Sequence, residues 1–157
     1  VTADSDGTKV YKGFGFEFLY PADWMIEEDI DADGELTVSL ETPEAAFLII
    51  SRFGSATDPA ELIQRAAEVI EEEYSDVECE DLDIEIGTED SFGMKMFFYC
   101  VDMVVAAKLL AFTHRDNTFL IQYQAVDSDF DEIEGTFRVL VFQLLERIGC
   151  VAKLEDL

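Results

Sequence analysis

Positive charge is what this chain has least of. Its 157 residues carry 10 Lys and Arg against 36 Asp and Glu, a net charge of −26. Lysine stands only at Lys9, Lys12, Lys95, Lys108 and Lys153. Phosphates would be repelled, and no Lys/Arg cluster along the sequence offers counterion release, so non-specific nucleic-acid binding is excluded. An anionic membrane surface is disfavoured for the same reason. The partners that fit are cations, a basic protein, or high salt that screens the self-repulsion.

Chemistry-bearing residues are equally scarce. His114 is the single histidine, so a zinc site or a triad would need companions the sequence does not place beside it. It reads as a surface residue at a strand end. The three cysteines keep no metal-ligand spacing. Cys100 lies in an apolar run and reads as a buried thiol, while a Cys79–Cys150 disulfide stays open. No G-x-G-x-x-G, P-loop or G-x-S-x-G motif occurs, and GFGF at residues 13–16 reads as strand entry. No catalytic, cofactor-binding or metal-binding residue is named, no cofactor is implied, and a non-enzymatic role is expected.

Long hydrophobic runs are missing too. FFYCVDMVVAAKLLAF, residues 97–112, is interrupted by Asp102 and Lys108 and reads as two core strands, so membrane insertion is not expected. Residues 1–10 read as a polar leader, which slightly favours an extracytoplasmic or lipid-anchored location over a cytoplasmic one.

What is abundant is apolar. Hydrophobic residues make up 49% of the chain, with 13 Phe, which excludes disorder and permits one domain over residues 11–150 with a tail at 151–157. YKGFGFEFLYP alternates, placing Phe14, Phe16, Phe18 and Tyr20 on one face of a strand closed by Pro21. Trp24, Ile26 and Ile30 alternate next, then Leu36, Val38 and Leu40. The apolar run Phe47 to Ile50 predicts a central strand buried on both faces. Asp58-Pro59-Ala60-Glu61 has a cap, a first-turn proline and a near capping box, opening a helix to about residue 74. Leu82, Ile84 and Ile86 predict a one-sided strand. Strands over 92–103 and 104–115, a turn at 114–117 and a strand through Phe119, Ile121, Tyr123 and Ala125 form a meander. An amphipathic helix follows Asp127 and stops at Gly149.

Two acidic stretches invite a metal reading. In DIDADGEL, Asp29, Asp31, Asp33 and Gly34 match the opening of an EF-hand loop, but position 12 is Leu40 and the flanks are strands. The Asp33-Gly34 hairpin turn is the stronger reading, with weak calcium binding as the alternative. In DSDFDEIE, residues 127–134, acids at a helix start are expected to cap free N–H groups and complement the macrodipole. With so many carboxylates, pairs suited to hydrolysis arise by chance.

Strands, helix, strands, helix, joined by hairpins, predict the α+β class, a central antiparallel sheet flanked by helices. That order, with Tyr20, Pro21 and Trp24 closing the first strand, resembles the PsbP/Mog family. It includes PsbP of the photosystem II oxygen-evolving complex and the Ran-binding Mog protein. The resemblance covers residues 11–148 and implies an α/β/α sandwich and a binding or assembly role without catalysis. No functional residue carries over. The expected function is therefore a non-catalytic binding module whose acidic surface meets a basic protein partner. Alternatives are an acidic chaperone for a secreted client, which should expose an apolar patch, and a carboxylate-dependent hydrolase.

Overall fold

The computed structural model describes residues 7–54, 57–87 and 89–157. Residues 1–6 of the expected leader lie outside them. Thr8 to Val10, also assigned to the leader, already belong to the first strand, β1 (Thr8–Gly13).

The YKGFGFEFLYP segment is a hairpin rather than one strand. β1 pairs with β2 (Phe16–Pro21) across a turn in which Phe14 and Gly15 have φ of 53° and 85°. Two successive positive φ values match the right-handed twist of the flanking strands. Phe14 is exposed at this turn, whereas Phe16, Phe18 and Tyr20 are buried. A two-residue turn preserves the period of two, so alternation alone cannot distinguish this hairpin from a continuous strand.

The remaining strands are β3 (Met25–Ile30), β4 (Leu36–Glu41), β5 (Phe47–Gly54), β6 (Ser75–Leu82), β7 (Ser91–Cys100), β8 (Met103–His114) and β9 (Asn117–Val126). They form a seven-stranded sheet in the order β3-β4-β5-β9-β8-β7-β6, with every neighbouring pair antiparallel. Helix α1 (Pro59–Glu73) covers β6 to β9 on one face. Helix α2 (Asp127–Ile148) and the β1–β2 hairpin cover the other. The architecture is the expected α+β sandwich.

Two cores follow from the alternation. Ile63, Ala67 and Ile70 of α1 pack on Met96, Phe98, Val105, Ala107 and Leu109. Phe130, Phe137, Leu140, Val141 and Leu144 of α2 pack on Leu48, Ile50, Leu110, Ile121 and Tyr123. Trp24 follows Pro21 in a turn closed by Trp24 N–H donating to the Pro21 carbonyl at 3.1 Å. Its ring then meets Phe137 edge-on, centroids 5.4 Å apart.

The strand buried on both faces is β8, where Val105 to Phe112 are all buried. On β5 only Leu48 and Ile50 are buried, while Phe47 and Ile49 stay half-buried because α1 does not extend over them. The expected strand through Leu82, Ile84 and Ile86 is also corrected. β6 starts at Ser75 and ends at Leu82. Ile84 and Ile86 are buried beyond it, their backbone groups partly served by Ser91, whose hydroxyl donates to the Ile84 carbonyl and accepts from Ile86 N–H. Apolar burial there reproduces a strand pattern without a ladder.

Asp58 caps α1, its carboxylate accepting from Ala60 N–H at 3.0 Å, and Pro59 opens the helix. Glu61 pairs with Arg65 instead of completing a capping box. Gly149 ends α2 with φ of 84°, as the sequence predicts. The 151–157 tail returns to the body: Ala152 bridges to Ile86 and Leu157 is buried. All three cysteines are free: Cys79 exposed on β6, Cys100 half-buried and Cys150 buried. The Cys79–Cys150 disulfide is therefore not formed.

Candidate functional site: an acidic cavity and groove along the second helix

Helical spacing brings Asp129, Glu132, Ile133 and Thr136 onto one stripe of α2. Opposite them stands the β4–β5 loop. Thr42 organises it, its hydroxyl accepting from Ala46 N–H at 3.1 Å while its own N–H donates to the Ala46 carbonyl at 2.8 Å. Ala45 takes φ of 66° in this tight loop. Between loop and helix lies a cavity of about 300 Å³, lined by Glu44, Asp129, Glu132, Thr42 and Thr136 over a floor of Ala46, Ala125 and Ile133. Among the described residues none of the three carboxylates has a Lys or Arg within ion-pair distance.

The stripe continues along α2 into an open groove of about 540 Å³ that shares Glu132 and Thr136 with the cavity. Its walls are Leu19, Tyr20 and Pro21 of β2 and Val139 and Leu140 of α2. Leu19 and Val139 are each about half exposed (49% and 51%). Gln143 joins the walls: its Oε1 accepts from Leu19 N–H at 3.1 Å, and its Nε2 donates to the Leu19 carbonyl at 3.5 Å. Gly135 lies in the helix beside this groove, and a Cβ there would meet nothing within 4 Å. Packing does not require the glycine, which costs a helix interior roughly 1 kcal/mol relative to alanine.

The DSDFDEIE run thus does more than start a helix. The α2 cap residue is Val126, with no side-chain capping bond, so the expected capping by Asp127 to Asp129 does not occur. Macrodipole complementarity remains available to the first-turn acids Asp127 and Asp129. Thr42, Glu44 and Thr136 were not singled out in the sequence; the Thr-Pro-Glu-Ala-Ala loop was the signal that could have found the first two.

At DIDADGEL the turn uses one carboxylate on its own backbone. Asp31 Oδ1 accepts from Asp33 N–H and Glu35 N–H, both at 2.9 Å. Gly34 N–H donates to the Asp31 carbonyl at 3.1 Å, with Gly34 at φ of 83°. Glu35 has its carboxyl pKa pushed up, first by desolvation and then by the Asp31 and Asp33 charges. Among the described residues no group of three or more His, Cys, Asp or Glu is close enough to hold a metal ion. Asp31→Ala is expected to destabilise the fold by about 1 kcal/mol in urea denaturation, whereas Asp31→Asn, which keeps the accepting oxygen, should lose under half of that. Equal losses would deny Asp31 this turn role.

His114 ends β8, and its Nε2–H donates to the Ile148 carbonyl at 3.0 Å. It is half-buried rather than a free surface residue. A carboxylate hydrolase would want a cavity carboxyl held protonated. The carboxyl pushed up here, Glu35, sits at a hairpin tip and lines none of the cavities described.

A second acidic region spans α1 and the edge strand β6. Every charged residue from Glu68 to Asp90 is an acid. Helix α1 packs against β6, so the acids of the two elements share one surface, and the thiol pKa of exposed Cys79 is pushed up by partial desolvation and then by the Glu71 and Asp81 charges. Charge on an edge strand also blocks edge-to-edge pairing.

No family model matches the chain, and no curated protein matches its sequence. Solved structures do match its fold. The cyanobacterial PsbP (CyanoP) of Synechocystis sp. PCC 6803 aligns over 94% of this chain and 93% of its own, at TM-score 0.56 and 17% identity. A Pseudomonas aeruginosa protein of unknown function, PA94, aligns over 83% of this chain and 91% of its own, at TM-score 0.50 and 15% identity. LpqN, involved in cell envelope biogenesis of Mycobacterium tuberculosis, is more distant, covering 78% of each chain at TM-score 0.45 and 14% identity. The fold is therefore a PsbP-like α+β sandwich, in agreement with the PsbP part of the resemblance read from element order and Tyr20-Pro21-Trp24. No helix among the described residues is long and apolar enough to cross a membrane.

Proposed function

We propose that this chain is a non-catalytic binding module for a basic protein partner. An extended segment of that partner lies along the groove beside α2 and inserts an arginine or lysine into the cavity of Glu44, Asp129 and Glu132. The observation that carries this reading is the continuity of the two features: an apolar, half-exposed groove opening into three carboxylates that pair with no Lys or Arg among the described residues. A long cationic side chain buries its methylene stem on such a surface and keeps its charge at the acids. A metal ion fits less well, since the carboxylates do not converge on one point. The acidic region from α1 to β6 would add steering, raising the rate of encounter with a basic partner at low salt.

Panning a random nonapeptide display library on the protein tests this, with Asp129→Asn/Glu132→Gln as counter-selector. The expected winners combine apolar residues with a basic one and bind the double variant at least about tenfold more weakly, the worth of one charge-assisted contact. They should retain affinity for Glu27→Gln/Asp29→Asn, which removes the same charge from exposed positions on β3. Winners without Lys or Arg, or equal losses in both variants, would defeat the proposal.

The exposed Leu19 and Val139 also favour a second reading, the acidic chaperone, as a patch for apolar client segments. That reading predicts a stable dimer by sedimentation and winners chosen for apolar content alone.

A further inference from the structure

Although no basic cluster exists along the sequence, the fold builds one in space. Arg52, Arg115, Arg147 and His114 line a single cavity of about 260 Å³, together with Phe14, Asn117 and Ile148. It lies where the β1–β2 turn, the β8–β9 turn and the last turn of α2 meet. Three of the chain's 10 basic residues and its one histidine therefore face each other on a protein of net charge −26. Mutual repulsion among the like charges opposes such a gathering, so local interactions must hold it together.

Part of the arrangement has an internal explanation. The α2 C-terminus is the negative end of its dipole and attracts cations. A Cβ on Gly149 would stand 3.6 Å from an Arg115 guanidinium nitrogen and 3.9 Å from His114 Nε2, so both side chains converge on that end. Arg147 pairs with Glu17 at 3.7 Å, a carboxylate it shares with Lys12. Arg52 is not explained in this way. It donates to the Phe14 carbonyl at 2.8 Å and stacks 5.6 Å from the Phe16 ring. Among the described residues neither Arg52 nor Arg115 has a carboxylate within ion-pair distance. Two guanidinium forks, a third that is half neutralised and the Asn117 amide thus border one small space. That donor set matches the oxygens of a tetrahedral oxyanion.

We infer that the cavity bordered by Arg52, Arg115 and Arg147 binds a small oxyanion of the phosphate class. The site lies at the opposite end of α2 from the acidic cavity and is independent of the partner-binding reading. Because the chain as a whole repels anions, the affinity weakens as the net negative potential grows and must be read at fixed ionic strength.

The test is calorimetric titration of inorganic phosphate into the full chain, with NaCl holding ionic strength constant. Saturable one-to-one binding is expected. Arg115→Gln, an exposed turn residue, should weaken it about tenfold or more, while Lys153→Gln, the same charge change elsewhere, should leave it within about twofold. Arg52→Lys keeps the charge but removes the fork, and should also weaken binding while the far-ultraviolet spectrum stays unchanged. Absence of saturable heat, equal losses in Arg115→Gln and Lys153→Gln, or saturable binding of citrate with none of phosphate would each overturn the inference.

Discussion

Phe137→Ala is expected to destabilise the protein by about 4 kcal/mol, the larger end of core truncations. Phe137 is fully buried and is the residue through which α2 meets two other aromatic groups. Its ring lies 5.4 Å from Trp24, edge-on, and 5.2 Å from Tyr123. Truncation leaves a ring-sized void between helix, sheet and hairpin connection, and neither large neighbour can close it without leaving its own contacts. The urea midpoint should fall with little change in slope. Val139→Ala, two residues away on the exposed side of the same helix, should stay within about 0.5 kcal/mol. Similar small effects for both would mean that α2 does not turn this face to the sheet. Because the same helix carries Asp129 and Glu132, Phe137→Ala should also weaken peptide binding without touching the cavity.

Lys108→Met is expected to do the opposite and stabilise the protein at pH 7 by about 2 kcal/mol, allowing for partial screening. Lys108 is buried on β8 directly opposite Lys95 on β7, a like-charge cross-strand pair. Burial is the main force lowering its pKa from 10.5 to about 8. Arg138 and Lys95 lower it further, against the opposing pull of Glu134 and Asp156. Between those two values the folded state binds fewer protons than the unfolded state, so wild-type stability rises as pH climbs from about 8 towards 10.5. The advantage of Lys108→Met should accordingly be full below pH 8 and shrink above it. Methionine fills the space of the stem, and Glu134 keeps Arg138 at 3.4 Å and the Tyr123 hydroxyl at 3.2 Å. Urea midpoints for both proteins at pH 6, 7, 9 and 10 decide the matter. A constant difference across that range would show that the Lys108 charge is fully compensated by its acidic neighbours.

Local patterns in the sequence correctly marked α1 with its Asp58 cap, the β7–β8–β9 meander, and α2 with its Gly149 stop. Each depends on a period or a cap within a few residues, which chain-local sterics and hydrogen bonding set. Errors arose where a local pattern had two spatial solutions. Alternation across Phe14-Gly15 fitted a strand as well as a hairpin, and Ile84 and Ile86 alternate in burial outside any strand ladder, with only the single bridge from Ile86 to Ala152. The apolar run at Phe47 to Ile50 resembles the one on β8, but β8 lies under both helices whereas α1 does not reach over β5. The α2 stripe from Asp129 to Gln143 was visible as helical spacing, yet its opposing wall at Thr42, Glu44 and Leu19 comes from loops and strands remote in sequence.

The sequence by itself determined the strong negative charge, the elements and their order, and hence an α+β sandwich, because composition and periodicity are properties of the chain alone. The tertiary structure decided where charge gathers. Antiparallel pairing of β5 with β9 and docking of α2 on the sheet bring Arg52, Arg115 and Arg147 around one cavity, and Glu44, Asp129 and Glu132 around another. Those distances follow from strand order and helix docking, which depend on contacts between segments far apart in the chain.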